Sequence, residues 1–151
     1  MSDLHSAIEG VVNSKTLALV GVSRSTKKFG YQAYEELTGR GYTVYPINPA
    51  AGGKIGDVTV YTSLKDLPAR PDAVVIMTPP QATEAVVKEC SEAGLNRVWV
   101  QPGAESNAAL KWAADHNMDV VKGQCILMHA QPVRGFHSWH RAVIKLFGRL
   151  P

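Results

Sequence analysis

Leu17–Gly30, LALVGVSRSTKKFG, constrains this chain more than any other stretch: an apolar strand runs into a turn rich in glycine, hydroxyls and cations, and a helical pattern follows. Parallel α/β sheets present ligand-binding turns in this way. Backbone N–H groups at a helix start, with the positive end of its dipole, favour an anion. Ser23, Ser25 and Thr26 add hydroxyl donors, and Arg24, Lys27 and Lys28 add positive charge. The turn reads as a phosphate site; the competing reading is a solvated turn whose charges face water.

Apolar, β-rich segments alternate with helical patterns along the rest of the chain, which argues for βαβ units. Strands are expected at Thr16–Val20, Thr43–Ile47, Val58–Tyr61, Ala73–Met77, Arg97–Val100 and Met118–Val121. Ala73–Met77 reads as a central strand buried on both faces. Helices are expected at Leu4–Val12, with Leu4, Ala7, Ile8 and Val11 inward, and at Tyr31–Gly39. Others are expected at Ala82–Ala93, with Ala82, Ala85, Val86 and Cys90 toward the sheet, and at Ser106–His116, with a brief helix in TSLKDLP behind a threonine cap. This order predicts an α/β fold: a single doubly wound parallel-sheet domain, Rossmann-like, with five or six strands.

At 151 residues the chain suits one domain with a continuous core. The expected division is an N-terminal helix over 1–15, the Rossmann-like body over 16–136, and an amphipathic helix over 137–151 packed on that body. Trp139, Val143, Leu146 and Leu150 share one face of this last helix. Membrane-surface attachment and a dimer contact are the other readings of that stripe.

A formal charge of +3 is too small to imply nucleic acid. The cations Lys122, Arg134, Arg141, Lys145 and Arg149 nevertheless occupy 122–151 without a carboxylate, which favours anionic ligands or partners at that end. Cys90 and Cys125 lack both a disulfide framework and metal-ligand spacing. The N-terminus lacks the pattern of a signal peptide, and no apolar run is long enough for a membrane span. The expectation is a cytoplasmic protein with reduced thiols.

A dinucleotide fingerprint would place G-x-G-x-x-G in the first turn and an acidic residue after the second strand. Here the glycine positions hold Gly21, Ser23 and Thr26, and the second strand closes with Pro46-Ile47-Asn48-Pro49. NAD is therefore disfavoured. NADP survives more easily because cations can meet a ribose phosphate, and no GxxxxGK[ST] string supports a Walker site. These departures point to another phosphate-rich adenosine ligand.

The motifs VGVSRSTKKFG at Val20–Gly30, GYTVYPINP at Gly41–Pro49, TPP at Thr78–Pro80, QPGA at Gln101–Ala104 and GQC at Gly123–Cys125 occur in that order. From Leu17 to about Gln131 the chain resembles the stand-alone CoA-binding domain proteins, themselves similar to the N-terminal domain of the succinyl-CoA synthetase α subunit. The resemblance implies coenzyme A as ligand. It places the CoA phosphates against the first turn, on Gly21, Ser23, Arg24 and Lys28, with Val22, Phe29 and Gly30 completing that turn. It places Asn48 and Pro49 by the adenosine, and Thr78, Pro79 and Pro80 along the pantetheine. The 3′-phosphate and diphosphate of CoA suit the Arg24/Lys27/Lys28 cluster, with arginine giving the more directional bond.

Gln101 falls at the same sheet edge, where it either touches ligand or satisfies loop backbone groups. The Gly52–Gly56 loop is either a flexible connection or a neighbour of the adenosine. Cys125, beyond the last strand, is a core thiol or a residue met by the cofactor thiol, open to mixed-disulfide formation with CoA or to redox sensing. His116 reads as solvated at a helix end, and His129, His137 and His140 lack a local companion carboxylate. His137 and His140 make a weak metal pair without a third ligand. The expected function is non-catalytic binding of CoA or an acyl-CoA by a small module acting as a sensor or through a protein partner or homodimer. The alternative is an NADP-binding or acyl-transfer enzyme component.

Overall fold

A computed structural model describes residues 3–130. The helix expected over 137–151, with Trp139, His137, His140 and the cations from Arg134 onward, lies outside the described residues. The chain runs α1 (Leu4–Val12), β1 (Thr16–Val20), α2 (Phe29–Gly39), β2 (Thr43–Ile47), β3 (Gly53–Ile55), β4 (Val58–Val60), a 3-10 turn (Leu64–Asp66) and β5 (Ala73–Ile76). It continues through α3 (Pro80–Glu92), β6 (Arg97–Val100), α4 (Asn107–Asp115), β7 (Asp119–Lys122) and α5 (Ile126–His129). The main sheet has five strands in the order β2-β1-β5-β6-β7, all neighbours parallel. This is the expected Rossmann-like sheet, with β5 at its centre.

Strand residues alternate between two cores because successive side chains leave opposite faces. Leu17, Leu19, Ala73, Val75, Trp99 and Val121 meet residues of α1, α2 and α5, including Val11, Leu37 and Ile126. Ala18, Val20, Val74, Ile76, Val98 and Val100 meet residues of α3 and α4, including Val87, Cys90 and Ala109. Each fully buried valine, leucine or isoleucine contributes roughly 1.5–3 kcal/mol. The uninterrupted apolar runs of β1 and β5 follow from burial on both faces.

Several boundaries and faces differ from expectation. The strand expected at Val58–Tyr61 is a short β4 that joins no parallel ladder: it pairs antiparallel with β3, which lies within the Gly52–Gly56 segment expected as a loop. Tyr61 still bridges to Ile47. Helix α2 starts two residues early because Lys28 is the last extended residue before it. Ser63, not Thr62, caps the 3-10 turn, its hydroxyl accepting the Lys65 N–H.

The inward face of α3 is Thr83, Val86, Val87 and Cys90, while Ala85 is exposed. That set keeps i, i+3, i+4, i+7 spacing once the helix begins at Pro80. Leu4, expected inward, is 51% exposed beside an open hollow of about 430 Å³ that also borders Leu110, Met118 and Val120. Met118 belongs to the turn after α4, where Asn117 adopts φ 54 and the Met118 N–H donates to the Ala113 carbonyl, so β7 starts at Asp119.

Helix α5 was not anticipated, nor was the residue that anchors it. Arg40 is completely buried at the end of α2. Its Nη1 donates to the Leu127 and Ala130 carbonyls at 2.8 and 2.9 Å, and its Nε donates to Glu36 Oε1 at 3.0 Å.

Candidate functional site

The chain leaves β1 for β2 on one side and reaches β5 on the other, so the crevice above β1 and β5 is the topological switch point where open parallel sheets bind ligands. Three backbone segments close on one another there. Gly21 adopts φ +107, and a Cβ on it would lie 2.9 Å from the carbonyl carbon and oxygen of Met77. A Cβ on Gly30 would run into the Gly21 carbonyl oxygen. The absence of both side chains lets the β1–α2 turn lie against the β5–α3 turn while α2 packs beneath it.

The first turn is shaped by its own hydroxyl. Ser23 Oγ accepts the Ser25 N–H at 3.0 Å, and the Lys28 N–H donates to the Ser25 carbonyl at 3.1 Å. The Gly21 and Val22 N–H groups both donate to the Ile47 carbonyl, and Val22 is buried. Arg24, Lys27 and Lys28 are exposed, and among the described residues they enter no ion pair. Helix α2 has no side-chain cap, whereas Asp3 caps α1 and Ser106 caps α4. The start of α2 therefore combines uncapped N–H groups with positive charge lacking a counter-ion, and Phe29 stands 43% exposed beside it.

The other expected site residues share this edge, with much of their polar capacity used internally. Asn48 Nδ2 donates to the Val22 carbonyl at 3.2 Å, and its Oδ1 accepts the Ala50 and Ala51 N–H groups. Pro49 is exposed next to it. Thr78 is buried, its hydroxyl 2.8 Å from that of Thr83, while Pro79 and Pro80 lie exposed at the start of α3. Gln101 is a strut: its Oε1 accepts the Ile126 N–H at 2.7 Å and its Nε2 donates to the Cys125 sulfur at 3.5 Å. This ties the Gly123–Cys125 turn to the end of β6.

The two thiols differ. Burial pushes the Cys90 thiol up to about 12, with the Glu89 charge adding to the shift; Cys125 is half-buried at the ligand edge. At neutral pH a raised thiol is protonated and unreactive. Iodoacetamide on the native protein is therefore expected to label Cys125 first and Cys90 only on unfolding, as read by peptide mass spectrometry. Equal labelling of the two would contradict this placement.

His116 ends α4, exposed and stacked on Trp112 with ring centroids 4.0 Å apart, and His129 Nε2 lies 2.9 Å from Gln124 Oε1. No cluster of three or more metal-ligating residues occurs among the described residues. A polar hollow of about 410 Å³ lies at the opposite edge of the sheet, bordered by Glu9, Lys15, Asp72 and Arg97. There Asp72 already accepts the Lys15 and Thr16 N–H groups.

A family model described as "CoA binding domain" matches residues 15–131. The α subunit of ADP-forming acetate–CoA ligase II from Pyrococcus furiosus is 31% identical over 87 residues, 57% of this chain and 19% of that protein. The chain spans about a fifth of the length of this relative and of the corresponding subunit of ligase I. A conserved hypothetical protein from Pyrococcus furiosus superimposes with a TM-score of 0.69 at 34% identity, over 74% of this chain and 96% of that one. A hypothetical protein from Pyrococcus horikoshii does so with a TM-score of 0.74 at 26% identity, over 83% and 87%.

Proposed function

We propose that this chain, which belongs to the CoA-binding domain family, holds CoA or an acyl-CoA along the carboxyl edge of its sheet and performs no chemistry on it. The observation that carries the reading is the cluster Arg24, Lys27 and Lys28 around the uncapped start of α2, at the switch point of the sheet. The CoA diphosphate occupies that helix start. The adenosine lies toward Asn48 and Pro49, and the pantetheine arm passes Thr78–Pro80 toward Gln101 and Cys125. Asn48, Thr78 and Gln101 support a binding role because their side chains are engaged in shaping loops. Such residues build a rigid bed rather than present a base or nucleophile to a thioester.

The module acts as a metabolite sensor or as a partner subunit, through another protein or a second copy of itself. Free Cys90 and Cys125 suit a reducing cytoplasm. Among the described residues no helix is long and apolar enough to cross a membrane.

Calorimetric titration of reduced protein with CoA, dephospho-CoA, NADP and NAD tests the reading. Saturable binding of CoA, weaker binding of dephospho-CoA and no heat with NAD are expected. A preference for NADP would transfer the site to a dinucleotide. Acetyl-CoA should be recovered intact after incubation with stoichiometric protein; thioester loss or acyl transfer to the chain would make it an enzyme.

A further inference from the structure

We infer that Gly53, in the β3–β4 hairpin, is a positioning residue that seats Arg24 for a phosphomonoester on the ribose of the bound nucleotide. The inference deepens the CoA reading and rests on it. A Cβ on Gly53 would lie 2.8 Å from Arg24 Nη1, 3.3 Å from Cζ and 3.4 Å from Cδ, so the guanidinium rests directly on the glycine backbone. Gly53 also adopts φ +143, a conformation that other residues rarely reach.

The direction in which Arg24 leans gives the contact its meaning. In a doubly wound sheet the diphosphate sits at the helix after β1, while the ribose faces the end of β2. Arg24 belongs to the β1–α2 turn, yet its guanidinium lies across the gap on the segment that follows β2. Its guanidinium is thereby held toward the ribose side of the cluster, while the uncapped N–H groups at the start of α2 and Lys28 serve the diphosphate. Asn48, which occupies the place of the usual ribose-binding carboxylate, spends its amide on Val22, Ala50 and Ala51. Recognition on that side therefore falls to a cation, suited to a ribose phosphate and indifferent to bare hydroxyls.

The hairpin is a firm seat. The Asn48 N–H donates to the Tyr61 carbonyl and the Tyr61 N–H donates to the Pro46 carbonyl, which fastens the base of the hairpin to β2. A methyl group on residue 53 meets the far end of a flexible side chain and adds backbone strain at φ +143, so Arg24 and the exposed hairpin yield while the core stays intact. The consequence belongs to ligand selection.

The test measures the ratio of CoA to dephospho-CoA affinity in wild type, Arg24→Ala, Gly53→Ala, the double variant and Lys54→Ala, with thermal melts alongside. Wild type should prefer CoA by on the order of tenfold, and Arg24→Ala and Gly53→Ala should each remove most of that preference. The double variant should fall no further than Arg24→Ala, because Gly53 acts through Arg24. Lys54→Ala, which removes charge from the same hairpin without disturbing the seat, should keep the ratio. The inference fails if Gly53→Ala keeps the ratio, adds independently to Arg24→Ala, or is matched by Lys54→Ala. It also fails, with CoA binding intact, if wild type holds both ligands equally; a wild type that binds neither overturns the CoA reading itself.

Discussion

Gly30→Ala is expected to lower CoA affinity by about a hundredfold, because losing one or two hydrogen bonds to the charged diphosphate, each worth roughly 1.5–3 kcal/mol, is enough for a loss of that size. The Gly30 Cα faces the Gly21 carbonyl, and Gly21 in turn abuts the Met77 carbonyl. These are three layers of backbone with no flexible side chain to give way. The added methyl pushes the start of α2 off the turn and so moves the N–H groups and Lys28 away from the diphosphate. Forced packing of this kind also costs roughly 2–3 kcal/mol of stability. Gly56→Ala is the control: that glycine has φ +58 with open space around it, so strain of about 1 kcal/mol should appear in a melt without loss of CoA binding. Calorimetry showing near-normal affinity for Gly30→Ala would mean that the start of α2 does not carry the ligand.

The same glycine shows where spacing ceases to be a guide. Reading G-x-G-x-x-G into the first turn puts Ser23 and Thr26 in glycine positions and disfavours NAD. The close-packing glycine is present at Gly30, beyond a longer turn, and Ser23 folds that turn through its bond to the Ser25 N–H. Strands β1, β2 and β6 match their expected ranges because strands in a parallel sheet are compact apolar runs whose polar neighbours mark the ends. Strand β3 carries no such signature; Gly53-Lys54-Ile55 becomes a strand through pairing with β4 and attachment of the hairpin to β2.

For the site, the residue types were legible and their directions were not. The resemblance implies ligand contacts at Asn48 and Thr78, and Gln101 is expected at the same edge either touching ligand or satisfying loop groups; all three stand at that edge. Whether an amide faces a ligand or its own loop depends on partners brought in by the fold, such as Thr83 for Thr78 and Ile126 for Gln101. Arg40 offers only its i,i+4 spacing to Glu36 as a local signal. Among the partners of its guanidinium, the Leu127 and Ala130 carbonyls lie 87 and 90 residues away.

Arg40→Met is expected to destabilise the protein by roughly 3 kcal/mol, since it strips partners from two inward-facing carbonyls and from an ion pair with a buried arm. The Arg40 side chain is 1% exposed; Glu36, 2.9 Å from its Nη2, is 31% exposed and can rehydrate, which keeps the loss below that of a fully buried pair. Methionine retains the apolar stem, so the loss reports the guanidinium rather than a cavity. At this chain length the melting temperature should fall by on the order of 10 °C. Arg40→Lys should recover only part of the loss, because one ammonium lacks the planar fork that spans the carboxylate and both carbonyls. The damage has a place as well as a size: α5 is held at its start by Gln101 and at its end by Arg40, so releasing the end loosens the turn bearing Cys125. Alkylation of Cys125 should therefore accelerate in Arg40→Met under conditions where Cys90 stays protected. An unchanged melt together with an unchanged Cys125 rate would show that α5 holds its position without this arginine.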